Sequence, residues 1–478
     1  MSNSGGKVLG VVVLTRHGDR QGFYQDPNSY AASATAITPL GETQEFQLGT
    51  LLRQTYLNSS SPSYIQGIAD ASSLFQANQV VVRADAGGEG GVIFDSAIAL
   101  LQGLWPVTTQ SNTTLANGTT VVSPLGGYQY VPVESVEPDE DVSLEGFTSC
   151  PALTNRTTQI YDSPIFKAKA SESASFLSQL PQYLDGREVT LENMWNIYDY
   201  MNVQSIHNAT FARRLPPTFL EQARDLANYH EYSVFSDSQI DGVGNIAGRT
   251  MLPSILTAFE RIANSSDPLK LHYSSISYKP FLSLFNMTGV VQASGGGVSA
   301  GIVDYAASAV FEVIQPTGST SEPTIRFLFK NGTSDPSFHS YPLAFPGIDE
   351  TANNGLAPLS TFLNTFQPAA INGTLPWCHV CGQTKDRGCA ALLSSSSSSN
   401  ASAALGSSKG DKISPVGAGF LGAGLTAAVF LAALGVLLFL GVLSFGKRSK
   451  RSSQAQVDMK QEHDHDSETN SARKFTHA

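Results

Sequence analysis

The chain has 478 residues, 41% hydrophobic and 14% charged, with 29 Lys and Arg against 40 Asp and Glu for a net charge of -11. This composition describes a globular chain with a sizeable core and room for two or three domains. The acidic balance excludes nucleic acid as a partner, because neutralising phosphates takes a concentrated basic surface; an anionic substrate would need a local positive pocket.

Met1 to Lys7 contain no apolar leader, so a secretory signal missing from this N-terminus is expected. Val8 to Leu14 is apolar on both faces and predicts a strand buried inside an α/β sheet. It delivers Arg16-His17-Gly18-Asp19-Arg20 to its carboxyl end, where open α/β sheets place their chemistry. His17 is there a candidate nucleophile, with Arg16 and Arg20 as forked donors holding a phosphoryl group for in-line attack. The plain alternative is a strand ending in solvated arginines beside an incidental histidine.

Thr38 and Pro39 predict the N-cap and first residue of a helix, with Leu48, Leu51, Leu52, Thr55 and Tyr56 on one face. Val80 to Val82 predict a second buried strand ending at Arg83, which would face the same crevice as Arg16. Residues 111–145 are loop-rich and include an acidic stretch from Glu134 to Asp141, and helical spacing dominates 163–265, read as an insertion packed over the sheet. Val310 to Ile314 and Thr324 to Phe329 predict an antiparallel pair joined through 315–323.

Toward the C-terminus, the serine run 394–399 and the Ala/Ser/Gly text after it read as a stalk over 394–415. Residues 416–445 carry no charge and are long enough to cross a bilayer. Lys447 to Arg451 follow, which keeps the polar, disordered tail 446–478 cytoplasmic and the main domain outside or lumenal. Ten sequons, at Asn58, Asn112, Asn117, Asn155, Asn208, Asn264, Asn286, Asn331, Asn372 and Asn400, all precede the apolar segment and point to a glycosylated surface. Cys150, Cys378, Cys381 and Cys389 read as two disulfides with the pairing open; zinc ligation is the weaker reading in an oxidising compartment.

The whole pattern resembles the histidine acid phosphatases, the larger eukaryotic branch of the histidine phosphatase superfamily, and looks most like a fungal membrane-anchored member. Arg16-His17-Gly18-Asp19-Arg20 resembles the family's RHGxR, and Ile37-Thr38-Pro39-Leu40-Gly41 with Gln44 and Leu52-Arg53 resembles the helix that follows. Val82-Arg83-Ala84 with Gly103-Leu104-Trp105-Pro106, then Val131-Pro132-Val133, Cys150-Pro151 and Tyr305 to Glu312, continue the match in order to about residue 390. The resemblance implies a phosphohistidine mechanism with His17 as nucleophile and Arg16, Arg20 and Arg83 binding the phosphoryl oxygens. No metal or other cofactor is expected, because arginines neutralise the charge, and the partner is a small phosphomonoester.

The fold expected is α/β, a central mixed and mostly parallel sheet flanked by helices over 7–393, with the helical insertion at about 127–265 and one C-terminal transmembrane helix. The family's second catalytic element, a His-Asp pair opening a late helix, is missing: either Ile276-Ser277 or Ser277-Tyr278 stands in its place. Glu89, in the loop Gly87-Gly88-Glu89-Gly90-Gly91, is a candidate substitute acid, the alternative being an exposed turn residue. Tyr278 and Lys279 are weaker candidates, Ser277 a hydrogen-bond donor only, and His207 and His272 are read as structural. Gln21 departs from the usual RHGxRxP, and Glu134 stands where a histidine is common, adding negative charge if it faces the site. General acid assistance is worth about 10²–10⁴ in rate, so an enzyme lacking it would favour aryl over alkyl phosphates; a catalytically weakened phosphate-ester-binding surface glycoprotein is the alternative.

Overall fold

The computed structural model describes residues 6–22, 35–88, 90–316, 321–348 and 355–395. The apolar segment at 416–445, the stalk beyond 395 and the tail fall outside these residues. Among the described residues no helix is long and apolar enough to cross a membrane.

The Val8 to Leu14 run lies in strand β1 (Gly6–Arg16), at the middle of an eight-stranded sheet. The other strands are β2 (Val80–Asp85), β3 (Glu134–Val136), β4 (Leu271–Ile276), β5 (Ser308–Pro316), β6 (Thr324–Lys330), β7 (His339–Tyr341) and β8 (Ala357–Pro358), in the order β8-β6-β5-β1-β4-β2-β3 with β7 against β6. The run is apolar on both faces because both are covered. Val11 and Val13 pack toward helices α1 (Pro39–Leu52) and α2 (Gly90–Leu104). Val12 and Leu14 pack toward a later helix that includes Met251, Ile255 and Phe259.

The sheet is mixed, as expected, but it is not mostly parallel. β1, β4, β2 and β3 pair in parallel, whereas β5, β6, β7 and β8 enter antiparallel. The late pair returns on itself through a short connection, which permits only antiparallel pairing. β2 also runs two residues past Arg83, with Ala84 and Asp85 paired to Ser135 and Val136.

Thr38 caps α1 as the sequence implies, accepting from the Gly41 amide, with Pro39 at the first helical position. The helical segment comprises α3 (Pro151–Asp162), α4 (Pro164–Leu177), α5 (Met194–His207), the short helix Ala209–Arg214, α6 (Phe219–Val234) and α7 (Ile246–Ala263). Phe166, Met194, Ile197, Met201, Phe211 and Leu226 form a core of their own, away from the sheet. α7 instead packs on the sheet beside Val12 and Leu14, so the separate insertion core ends before it.

Pro253 interrupts the hydrogen bonding of α7, since it has no N–H to give the carbonyl four residues back. That carbonyl, on Arg249, accepts instead from the Ile371 amide at 3.0 Å. The C-terminal end of the domain is thereby docked on α7, and it continues into helix α8 (Thr374–Cys381). All four cysteines are spent in disulfides, Cys150 with Cys381 and Cys378 with Cys389, which removes the zinc reading. The first closes a sequence separation of 231 residues. Replacing Cys150 and Cys381 together by Ala is expected to cost about 2–5 kcal/mol, read as a lower urea midpoint for unfolding.

Candidate active site

The end of β1 is fixed on both sides: the Arg16 amide donates to Ala307 O at 2.9 Å and the His17 amide to Ile276 O at 3.3 Å. The loop then runs against the N-terminus of α1, so tightly that a Cβ on Gly18 would lie 2.6 Å from the Gly41 carbonyl oxygen. Glycine is therefore required there by contact. The Gly18 amide donates to Ser96 Oγ on α2 at 2.9 Å, and the Asp19 amide to Gln44 Oε1 at 2.9 Å.

His17 is fully buried, with Nδ1 2.8 Å from the Gly18 carbonyl. A carbonyl only accepts, so Nδ1 carries the hydrogen and the neutral ring keeps its lone pair on Nε2. Arg16 donates through Nη1 to Val303 O, and its Cζ lies 4.4 Å from the ring centre of Tyr305 and 5.2 Å from that of Tyr278. Arg16 Nε is buried without a hydrogen-bond partner among the described residues. Arg20 donates through Nη2 to Asp199 Oδ1 at 3.0 Å and through Nη1 to the Tyr305 hydroxyl at 3.3 Å. The Tyr305 ring lies 5.5 Å from that of His17. Burial pushes the Tyr305 phenol up to about 12, with Arg20 pulling the other way, so it is a neutral group here.

The structure thus brings Arg16, His17 and Arg20 together but does not bring Arg83 to them. Arg83 pairs in register with Ser274, and Ser274 with Leu14, three residues short of His17. Its guanidinium is engaged by Glu134, Asp141, Ser143 and Ser254 of α7. The strand continues beyond Arg83, so this arginine is not at the strand end on which the expectation rested. Glu134 neutralises Arg83 and has no such contact with the His17 cluster. Arg83, Ser254, Arg261 and His272 line a separate cleft of about 530 Å³. Glu89 lies outside the described residues.

Ser277 and Tyr278 form the turn between β4 and the helix Lys279–Met287, beside His17. Ser277 Oγ is buried with no partner among the described residues. The Tyr278 hydroxyl donates to Glu231 Oε2 at 2.6 Å, and Glu231 Oε1 is 2.9 Å from His230 Nδ1. Burial, the largest effect, pushes the Glu231 carboxyl up, but His230, Lys279 and Tyr278 together hold it below the usual carboxylate range. Tyr278 therefore spends its hydrogen on a carboxylate and offers its ring to Arg16.

Two site residues come from α5: Asp199 on Arg20, which sequence reasoning left out, and His207, which it read as structural and whose Nε2 is 2.8 Å from Asp19 Oδ2. Nothing in the text around Tyr198-Asp199-Tyr200 marks this, because the contacts exist only once the insertion docks on the loop.

Residues 22–330 match the family model described as histidine phosphatase superfamily (branch 2). The lysosomal acid phosphatase of Rattus norvegicus is 24% identical over 393 residues, covering 79% of this chain and 81% of its own. The testicular acid phosphatase of Mus musculus is 24% identical over 384 residues, covering 76% and 80%. Among solved structures, the phytase from Citrobacter braakii superposes with a TM-score of 0.52 at 14% identity, covering 78% of this chain and 99% of that one. That likeness concerns the fold.

The Arg83 cleft generates a pH prediction. Burial pushes the His272 imidazole down to about 4, and Arg83 and Arg261 add to the shift. An unfolded histidine takes up its proton near about pH 6.5, so the folded form is the poorer proton binder between these values. Stability contributed by neutral His272 is complete above about pH 6.5 and falls by up to about 1.4 kcal/mol per pH unit toward pH 4. Urea unfolding of the wild type should show this slope, and His272→Gln should flatten it.

Proposed function

The chain belongs to branch 2 of the histidine phosphatase superfamily, and on that footing we propose that it hydrolyses phosphomonoesters through a covalent phosphohistidine on His17. The observation that carries this reading is the buried His17 ring, whose Nδ1 faces the Gly18 carbonyl so that Nε2 is the nucleophilic atom, set between two arginines.

Nε2 attacks phosphorus as the ester P–O bond opens on the opposite side, and water then attacks the phosphohistidine to release inorganic phosphate and restore the ring. Arg16 presents its Nε edge, since its faces are covered by Tyr278 and Tyr305 and Nη1 is held by Val303. Arg20 meets the phosphoryl oxygens by exchanging Asp199 for them. Charge stabilisation by donors already in place is the larger part of such catalysis.

The acid phosphatase names of the relatives support an enzyme working in an acidic, lumenal or external compartment. The two disulfides agree with that address. So do the exposed sequon asparagines Asn58, Asn117, Asn155, Asn208, Asn264 and Asn372. Asn112, Asn286 and Asn331 are half-buried, and Asn286 is further engaged, its Nδ2 donating to Asp237 O and to Asn245 Oδ1. The uncharged segment 416–445 is assigned as the single membrane anchor on sequence grounds.

A second reading, a weakened enzyme that chiefly binds phosphate esters, is favoured by one observation: Ser277 and Tyr278 occupy the turn where the family carries its acid, and the Tyr278 proton faces Glu231.

Incubation with a labelled aryl phosphate at mildly acid pH is expected to yield an acid-labile phosphoenzyme. His17→Ala should abolish it, Arg20→Ala should weaken it strongly, and Arg83→Ala should lower stability while folded protein still labels. A wild-type protein that neither labels nor turns over would overturn the enzymatic reading. Binding of inorganic phosphate by that inactive protein would then support the second.

A further inference from the structure

We infer that Asp19 donates the leaving-group proton, with His207 of α5 as the relay that recharges it; this rests on the phosphohistidine reading above. The separated residues Asp19 and His207 form a His-Asp pair beside the nucleophile loop, although no contiguous pair opens the helix Lys279–Met287.

The groups around His17 narrow the choice. Ser277 is an alcohol. Tyr278 donates to Glu231. Tyr305 accepts from Arg20 and is pushed up to about 12 by burial, too weak an acid for transfer near pH 5. Asp199 is ion-paired with Arg20. Asp19 stands in the nucleophile loop itself, between His17 and Arg20, fully buried.

The hydrogen bonding of Asp19 is lopsided. Oδ2 receives the Thr38 hydroxyl at 2.6 Å and faces His207 Nε2 at 2.8 Å, while Oδ1 is buried with no partner among the described residues. An oxygen that already accepts two hydrogens is a poor place for a third, so a protonated Asp19 carries its proton on Oδ1. Thr38 and His207 hold the carboxyl in one orientation. The His207 side chain is 23% exposed, which joins the buried carboxyl to solvent through a single imidazole.

In the first half-reaction His17 Nε2 forms the N–P bond, the ester P–O bond breaks, and the Oδ1 proton passes to the departing oxygen. In the second, water attacks phosphorus, its proton goes to Asp19, and the N–P bond breaks. As Oδ1 gives up its proton, Oδ2 takes one from His207 Nε2, and as Oδ1 regains a proton from water, Oδ2 returns its own to His207, so that Asp19 begins each cycle with its proton on Oδ1.

The test compares turnover of an alkyl phosphate with that of 4-nitrophenyl phosphate, whose phenolate departs unaided. For Asp19→Asn the alkyl rate should fall by about 10²–10⁴, with the aryl rate much less affected. Because that buried variant can also fail to fold, His207→Ala, on the partly exposed member, is measured beside it. Its alkyl rate should fall selectively and recover when free imidazole is added, a rescue that a merely structural role would not show. If the wild type turns over and labels while both variants lower the two rates by one common factor, or imidazole restores nothing in His207→Ala, the assignment of Asp19 and His207 is overturned. If the wild type forms no phosphoenzyme at all, the phosphatase reading falls, and this one with it.

Discussion

Burying charge without leaving it unpaired is the constraint on which the site depends. Arg16, His17, Asp19 and Arg20 are all withdrawn from water at the end of one strand, and a guanidinium or carboxylate so placed is costly unless it is hydrogen-bonded or paired. The sheet alone cannot supply the partners. Arg20 takes Asp199 and Asp19 takes His207, both from α5, while Arg16 takes the Val303 carbonyl and two tyrosine rings. Three stretches distant in sequence are thus held together by the charges of one pentapeptide. On the proposed function the pairing also makes ligand binding an exchange, in which Arg20 trades the Asp199 carboxylate for phosphoryl oxygens and is never left bare in a low-dielectric site.

What the sequence made legible was local. The strand from Val8 to Leu14 follows from apolarity on both faces, and the Thr38-Pro39 helix start follows from capping chemistry, because neither needs knowledge of a distant partner. Even Gly18 could be placed in the loop, though not its 2.6 Å reason, the approach of Gly41. Arg83 shows where such reasoning stops. An apolar run does not mark where a strand ends, and Ala84 and Asp85 extend the pairing beyond the charged Arg83 that closes the run. Two residues of strand suffice to leave Arg83 level with Leu14 and paired to Glu134 and Asp141.

The insertion was legible as helix and silent as a source of site residues. Asp199 and His207 stand eight residues apart on α5, little more than two turns, so one docked helix reaches the neighbouring residues Arg20 and Asp19. Nothing in their own periodicity announces it, since a polar residue facing a buried charge looks in sequence like one facing water. The disulfides and the Pro253 break act on a different part of the same problem. They fasten the end of the domain to α3 and α7, which steadies the helical layer behind the sheet without touching the charged loop.

In one of the two registers the sequence allows, Tyr278 stands where the family pattern leads one to expect the acid. Its hydroxyl is turned into the helical layer, where Glu231 and His230 hold it, and this fixes the ring against one guanidinium face of Arg16. Tyr305 lies against Arg16 as well. A planar cation attracted by aromatic faces gains electrostatic stabilisation without spending any of its N–H donors. The donors remain in the guanidinium plane, with Nη1 committed to Val303 and Nε not committed to any described residue. An acid at this turn would serve proton transfer. A tyrosine in the same place serves orientation of Arg16, and on the proposed mechanism proton transfer is supplied from another wall, the nucleophile loop with the Asp19 carboxyl.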